Sequence, residues 1–360
     1  MIMSTKNYVS LGIMSGTSQD GLDLSIVETD GEDNLKFLGG YTVDFPDTLK
    51  ISLRSILGSH KRDSVLNIIE KEYTDFVIKK LKKIICLNKK KIDLIGFHGQ
   101  TITHLPNKGF SWQIGNAQRI FSSLKIPIIY DFRTNDIVNG GNGAPLTPIF
   151  HKLIKTKFNM KNVAFLNLGG ISNITILSGS KMIAFDCGPC CNFSNIFVRK
   201  KINKEFDKNG LNAQKGITDK KILAKLLKNP YFSKIPPKSL DRLDIKFDEI
   251  FNLSLKDGLS TINDFITETI YLGIRKYINK LDQIILVGGG RKNIDLIQKL
   301  KSRIKIKIDT SENLKIDGDL FEASAFGYLA VRSFLGLDIT FPYTTGVSSS
   351  ISGGVLHSYF

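Results

Sequence analysis

Ser15-Gly16-Thr17-Ser18-Gln19-Asp20-Gly21 is a glycine-bounded turn between two segments that alternate as strands do. Tyr8 to Met14 forms the run before it. In the run after it Leu22, Leu24 and Ile26 share one face, and Leu35 to Tyr41 makes a third. A period of two, with tight glycine turns between the runs, predicts an antiparallel meander. The arrangement recurs further along. Asn167-Leu168-Gly169-Gly170-Ile171-Ser172-Asn173 lies between strands predicted at Val163 to Leu168 and Ile174 to Leu177, and Met182 to Phe185 follows. Strand, glycine turn, strand, strand, then helices is therefore read twice, which predicts two similar α/β halves around a cleft with nucleotide between them.

Between the meanders, Asp63-Ser64 caps a long helix with an apolar stripe of Val65, Ile68, Ile69, Tyr73, Phe76, Val77, Leu81 and Ile84. Ile92 to Phe97 and Ile126 to Tyr130 read as buried strands flanking a segment with the sole tryptophan, Trp112. A glycine loop, Asn139 to Gly143, and Pro145 precede a short helical stretch. Beyond the second meander comes a helical region from Thr218 to Ile278, broken near Asn229-Pro230 and Pro236-Pro237. Then follow a strand at Gln283 to Val287, Gly288-Gly289-Gly290, a helix from Asn293, a strand at Ile304 to Ile308 and a helix from about Asp319 to Phe334.

At 360 residues, 42% hydrophobic and 23% charged, the chain has the composition of a soluble two-domain protein. It shows no secretory signal and no apolar run long enough to cross a bilayer, and four cysteines make no disulfide framework, so a cytoplasmic location is expected. The net charge of +16 attracts polyanions in general. Its densest run, Lys79 to Lys91, reads as the solvated end of a helix, and no nucleic-acid-binding motif accompanies it. An anionic small substrate explains a basic cleft equally well.

Chemistry-bearing residues cluster at strand ends. The turn Gly16 to Gly21 can bring backbone amides and hydroxyls to a phosphate, with Asp20 or Asp23 holding a metal ion through water; a plain hairpin fits the same composition. It is neither a Walker loop nor a Rossmann turn. Gly169-Gly170 is a second phosphate-turn candidate, and Gly288-Gly289-Gly290, where a strand meets a helix start, suits an anion or the nucleotide's sugar and base. Asp186, taken to end a strand beside the second turn, can accept a proton from an attacking oxygen. The Cys187-Gly188-Pro189-Cys190 stretch offers a rival reading as a dithiol oxidoreductase. His98 and Gln100 can bind a sugar hydroxyl or satisfy local backbone; Arg133 can orient an anionic substrate. Glu322 is either a surface charge or a site residue.

Taken together these segments resemble the anhydro-N-acetylmuramic acid kinases of bacterial cell-wall recycling. The matching stretches are Gly12 to Ser18 with Asp20-Gly21, His98-Gly99-Gln100-Thr101, Gln113-Ile114-Gly115, Asp131-Phe132-Arg133 and Gly140-Gly141 with Gly143 to Leu146. They continue through Asn167 to Ile171, Phe185-Asp186, Pro236-Pro237-Lys238-Ser239, Gly288 to Gly290 and Glu322-Ala323, with Asp207, Gly210, Ala213 and Gly216 in register. The resemblance implies the two-domain α/β fold of the hexokinase, Hsp70 and actin group (ribonuclease H-like), with residues 1–145 plus about 325–360 as one domain and 146–324 as the other. It implies ATP and Mg²⁺ as cofactors, with Gly16, Thr17, Ser18, Gln19, Asp20, Gly21, Leu22 and Asp23 as the ATP-binding stretch; Gly169, Gly170, Gly288, Gly289 and Gly290 are expected to complete it from the reading of their own turns. Arg133 and Glu322 would bind the sugar. Asp186 would deprotonate water attacking C1 while the freed O6 takes the γ-phosphoryl group. The partners so implied are the amino sugar and ATP, without nucleic acid or membrane; a homodimer and a kinase of another sugar are left open. This chain departs from the family pattern after the proposed base: Cys187-Gly188-Pro189-Cys190-Cys191 replaces Thr-Gly-Pro-Gly-Asn, Asn195 replaces an aspartate, and Leu240-Asp241-Arg242-Leu243 replaces Thr-Gly-Arg-Glu.

Overall fold

The computed structural model describes residues 6–16, 19–240, 245 and 247–359. The chain forms two compact units, Met1–Lys157 with Asp319–Phe360, and Phe158–Gly318. In chain order the first part of unit one contains β1 (Tyr8–Ser15), β2 (Gly21–Thr29), β3 (Leu35–Asp44), α1 (Asp47–Ser55), α2 (Ser64–Leu87), β4 (Leu94–Leu105), β5 (Phe110–Ile114), α3 (Ala117–Leu124), β6 (Ile128–Tyr130), α4 (Thr134–Val138) and α5 (Pro148–Lys157). Unit two follows with β7 (Asn162–Leu168), β8 (Ile171–Ser178), β9 (Lys181–Pro189), α6 (Cys191–Ile202), α7 (Lys220–Leu226), α8 (Leu255–Ile274), β10 (Gln283–Val287), α9 (Ile294–Arg303) and β11 (Lys307–Thr310). The chain returns to unit one with α10 (Phe321–Phe334), α11 (Pro342–Thr345) and β12 (Val355–His357).

Both sheets obey one plan. In unit one the strand order is β12-β6-β4-β1-β2-β3, with β5 also on β4; in unit two it is β11-β10-β7-β8-β9. Each begins with an antiparallel meander, β1-β2-β3 or β7-β8-β9. Parallel strands then extend the sheet from the meander's first strand, β4 and β6 in one unit and β10 and β11 in the other. This duplicated order is the ribonuclease H-like plan of the hexokinase, Hsp70 and actin group, and the expected α/β class holds. Parallel strands bring their C-terminal ends to one edge, the usual place for ligands in such sheets.

The α2 stripe needs a correction. The cap is as expected, Asp63 accepting from Leu66 N. The inward residues, however, are Leu66, Ile69, Tyr73, Val77, Ile78, Leu81 and Ile84, while Val65 and Ile68 are exposed. Apolar residues occupy adjacent helical positions here, so spacing alone could not select the face. The unit boundaries also differ from those expected. Helix α5 belongs to unit one, where Phe150 packs edge-on against Phe321 at 5.2 Å between ring centres. Glu322 likewise belongs to unit one. Among the described residues no helix is long and apolar enough to cross a membrane.

Candidate functional site

In unit one, α10 lies in backbone contact with the sheet. A β-carbon at Gly12 of β1 would sit 1.9 Å from Ala323 O, and one at Gly96 of β4 would sit 2.3 Å from Phe326 O. Only glycine permits that approach. It fixes the first turn of α10, which carries half-buried Glu322, over the start of the phosphate-turn region; Ser324 is tied to Ser25 at 2.8 Å between hydroxyls.

Strand β4 changes partner in its middle. It pairs with β6 at Ile95 and Gly96 and with β5 from Gln100 onward, and its register against β1 shifts between Phe97 and Gln100. This irregularity presents His98, Gly99 and Gln100, Gly99 at φ +76°. Gln100 is fully buried. Its amide donates to Gly16 O at 3.1 Å and Thr101 O at 3.2 Å, and its carbonyl oxygen accepts from Ser15 Oγ. Gln100 therefore anchors the turn. Both amide hydrogens are spent inside the protein, so only the second lone pair of its buried carbonyl oxygen is left for the sugar hydroxyl expected of it.

His98 is also engaged. Nδ1 faces Gly99 O at 2.8 Å, and Nε2 lies 2.8 Å from Arg133 Nη2 and 3.2 Å from Nε. Arginine can only donate, so Nε2 accepts and Nδ1 carries the proton. Burial first, and Arg133 second, hold His98 well below the usual histidine pKa, so the ring is neutral at physiological pH. His98 thus orients Arg133 and is not itself placed to meet a sugar. Arg133 also donates from Nη1 to Gly143 O at 2.6 Å. That carbonyl is fixed in turn by Asp136, whose buried carboxylate accepts from Gly143 N at 2.6 Å and from Thr345 Oγ1 at 2.5 Å. Asp136 was missed in the sequence; its only signal was a lone acid just before the glycine loop. Phe326 of α10 packs on His98 (4.7 Å between ring centres) and on Phe132 (5.3 Å), tying Glu322's helix to the Arg133 turn.

Within the stretch matched to ATP, Thr17 and Ser18 lie outside the described residues. Gln19 adopts φ +60°, its N–H closing the turn onto Gly16 O at 3.2 Å and its side chain reaching Leu53 O at 3.3 Å. Leu22 is a core residue. Both of these side chains are buried in unit one. Asp23 pairs across strands with Thr42 Oγ1 at 2.8 Å, and Asp20 O accepts from Phe45 N at 2.9 Å. Among the described residues no group of three metal-ligating side chains occurs.

In unit two, the Gly169-Gly170 turn caps α6. Cys190 N and Asn192 N donate to Gly170 O, at 3.0 and 3.3 Å, and Cys191 N donates to Gly169 O at 3.0 Å. A β-carbon at Gly169 would meet nothing closer than 3.5 Å, and one at Gly289 nothing within 4 Å, so these two glycines border open space. Gly288 and Gly290 have packing roles instead: β-carbons there would lie 2.2 Å from Asn167 Oδ1 and 2.7 Å from Leu168 Cβ. The glycines also stop short of a helix. A 3₁₀ turn, Gly289–Lys292, intervenes and Asn293 caps α9 through Leu296 N at 3.1 Å. Asn167 is buried between the two turns and its Oδ1 has no partner among the described residues. An unpartnered buried acceptor beside two open glycines suits a hydrogen-bond donor from a bound molecule. Asp207, Gly210 and neighbours form a structural loop, Asp207 accepting from Asn212 N and Ala213 N at 3.0 Å each.

Asp186 is mid-strand, not at a strand end. The β8–β9 register shifts there, Asn173 opposing Asp186 and Ser172 opposing Gly188, so that Cys187 is the extra bulge residue. Phe185 and Cys187 face the core and Asp186 is 9% exposed. Its Oδ2 accepts from Leu240 N at 2.9 Å and its N–H donates to Lys238 O at 3.0 Å. Such a fixed, shielded carboxylate can accept a proton. The dithiol reading fails on burial. Cys187 and Cys190 are core residues, Cys187's thiol raised by burial and Cys190's by its Cys191 contact and burial, so neither supplies the thiolate that exchange requires. Cys190 has φ −138°, outside the region that favours glycine. Cys191 rests its sulfur 3.5 Å from Leu168 O, under Gly290.

Residues 8–358 match the family described as Anhydro-N-acetylmuramic acid kinase. A relative of that name from Zymomonas mobilis is 36% identical, covering 97% of this chain and 99% of the relative. One from Pelagibacter ubique is 39% identical, covering 98% of each. Among solved structures, a ROK family glucokinase from Streptomyces griseus, in complex with glucose and AMPPNP, superposes with TM-score 0.42 at 11% identity, over 89% of this chain and 99% of that one.

Proposed function

The chain belongs to the anhydro-N-acetylmuramic acid kinase family, and we propose that it couples phosphoryl transfer from ATP to hydrolytic opening of the sugar's 1,6-anhydro ring. Asp186 accepts a proton from water as that water attacks C1. The C1–O6 bond breaks, its electron pair passes to O6, and O6 attacks the γ-phosphorus with ADP leaving. The products are N-acetylmuramic acid 6-phosphate and ADP, a step of peptidoglycan recycling in the cytoplasm. The observation that carries this reading is Asp186 itself: a shielded carboxylate whose Oδ2 is fixed by Leu240 N and whose backbone is fixed by Lys238.

Arg133, aimed by His98 and Gly143 O, binds the anionic part of the sugar, and Glu322 binds its polar groups. The backbone from Gly16 to Gly21 and the open glycines Gly169 and Gly289 hold nucleotide, with Asn167 Oδ1 accepting a hydrogen bond from it. Mg²⁺, when bound, would neutralise charge on the phosphates. That ion prefers phosphate oxygens, water and one or two carboxylates, and Asp20 would hold it through water.

The test is turnover in ¹⁸O-water with ATP, Mg²⁺ and 1,6-anhydro-N-acetylmuramic acid. Early product should carry the label at C1 and none in the phosphate ester. Label at phosphorus, or ADP formation without sugar phosphate, contradicts the coupled reaction.

A further inference from the structure

Lysine is rarely buried without a charge partner, yet Lys238 is only 8% exposed. Lys238 falls in a stretch that matches the family, and its side chain takes no part in the proposed reaction. β9 is an edge strand of its sheet, and the segment through Lys238 and Leu240 covers that edge at Asp186. Three contacts hold the aspartate from this side: Asp186 N to Lys238 O at 3.0 Å, Leu240 N to Asp186 Oδ2 at 2.9 Å, and Tyr231 OH to Asp186 O at 2.8 Å. The lysine is itself seated. Its Nζ donates to Tyr231 O at 3.2 Å and lies 4.5 Å from the centre of the Tyr231 ring and 6.0 Å from that of Phe185.

We propose that Lys238 is a positioning residue for Asp186: its buried ammonium, seated on Tyr231, balances the carboxylate's charge and locks the covering segment that aims it. Burial pulls the lysine's pKa down, while Cys187 and Asp186 act in the opposite sense and Lys234 adds to the fall. Cys187 is held neutral by its own burial. A cation beside a buried carboxylate favours the charged, proton-accepting form. The cation–π seat gives the ammonium a second stabilising contact.

This inference rests on Asp186 being the base, and three variants separate the two claims. Lys238→Met keeps the aliphatic stem and removes the charge; Lys238→Arg keeps the charge. Lys238→Met should lower kcat about tenfold or more, roughly one decade of transition-state stabilisation, with KM for ATP within about twofold. Lys238→Arg should recover most of that loss, and both should melt close to the parent. A wild-type kcat in Lys238→Met overturns the proposal, as does equal loss in both variants with lowered melting temperatures, which marks a packing role. Asp186→Asn is the control. If it keeps turnover, the base assignment itself falls; if it is inactive while Lys238→Met is not, only the role of Lys238 falls.

Discussion

The turn after β1 and the turn after β7 occupy equivalent places in two sheets of one plan, yet they are held by different means. In unit one, a buried side chain reaches across from a neighbouring strand: Gln100 of β4 binds Gly16 O and takes the Ser15 hydroxyl. In unit two the turn's own carbonyls cap α6, and the neighbouring strand contributes glycines whose close approach fixes the geometry. The glycines differ in the same way. Gly12 and Gly96 let a helix press on a sheet, whereas Gly288 lets one turn pass another. Equivalent positions in a duplicated fold thus need not carry equivalent duties, and a polar residue in a glycine-rich motif can be scaffold.

The largest effect expected from this contrast is Gly12→Ala. Its β-carbon would meet backbone at 1.9 and 2.3 Å, so α10 must move, and unit one should lose more than about 3 kcal/mol. Gly288→Ala, which meets the Asn167 side chain at 2.2 Å and has φ +78°, should cost about 1–3 kcal/mol in unit two. Trp112, the single tryptophan, lies in unit one, so denaturant unfolding followed by its fluorescence should shift strongly for Gly12→Ala and little for Gly288→Ala. Equal shifts would break the comparison.

Acid should also act on one unit. All five histidines lie in unit one. Burial depresses His151 to about 3, and His98 well below 6.5. A histidine whose folded pKa is depressed gives its full stabilisation above the unfolded value, near 6.5, and loses it as pH falls toward the folded value. For His151 the loss at pH 5 is about 2 kcal/mol. Trp112 fluorescence should therefore report weakening between pH 7 and pH 5, and a pH-independent transition would contradict the assignment of neutral buried rings. A smaller effect, about 1–2 kcal/mol, is expected for Gln100→Ala, together with a raised KM for ATP. A raised KM for sugar at unchanged stability would restore Gln100 as a sugar ligand.

Much of this was legible in the sequence. Period-two alternation and glycine turns, met twice, disclosed the duplicated meander, and Asp63 and Asn293 announced their helices. What escaped was set by non-local geometry. β5 and β12 are short edge strands, and β12 pairs with β6 from far earlier in the chain. His98 and Gln100 have the residue types of ligands, and only their distances reveal that their partners are Arg133, Gly16 and Ser15. Asp136, Asn167 and Lys238 matter through burial, which spacing does not encode. Asp186 was found by its place after a strand-like run, although the bulge that exposes its setting was not.

The central claim is that Asp186 is the proton acceptor in a kinase reaction and not a structural or nucleotide-binding carboxylate. The most direct measurement is Asp186→Asn, assayed for sugar-phosphate formation and for ATP binding by calorimetry on the same preparation. The account predicts a loss of turnover of at least about a thousandfold with ATP affinity close to that of the parent. Turnover near the parent level, or ATP binding lost along with it, would contradict the account.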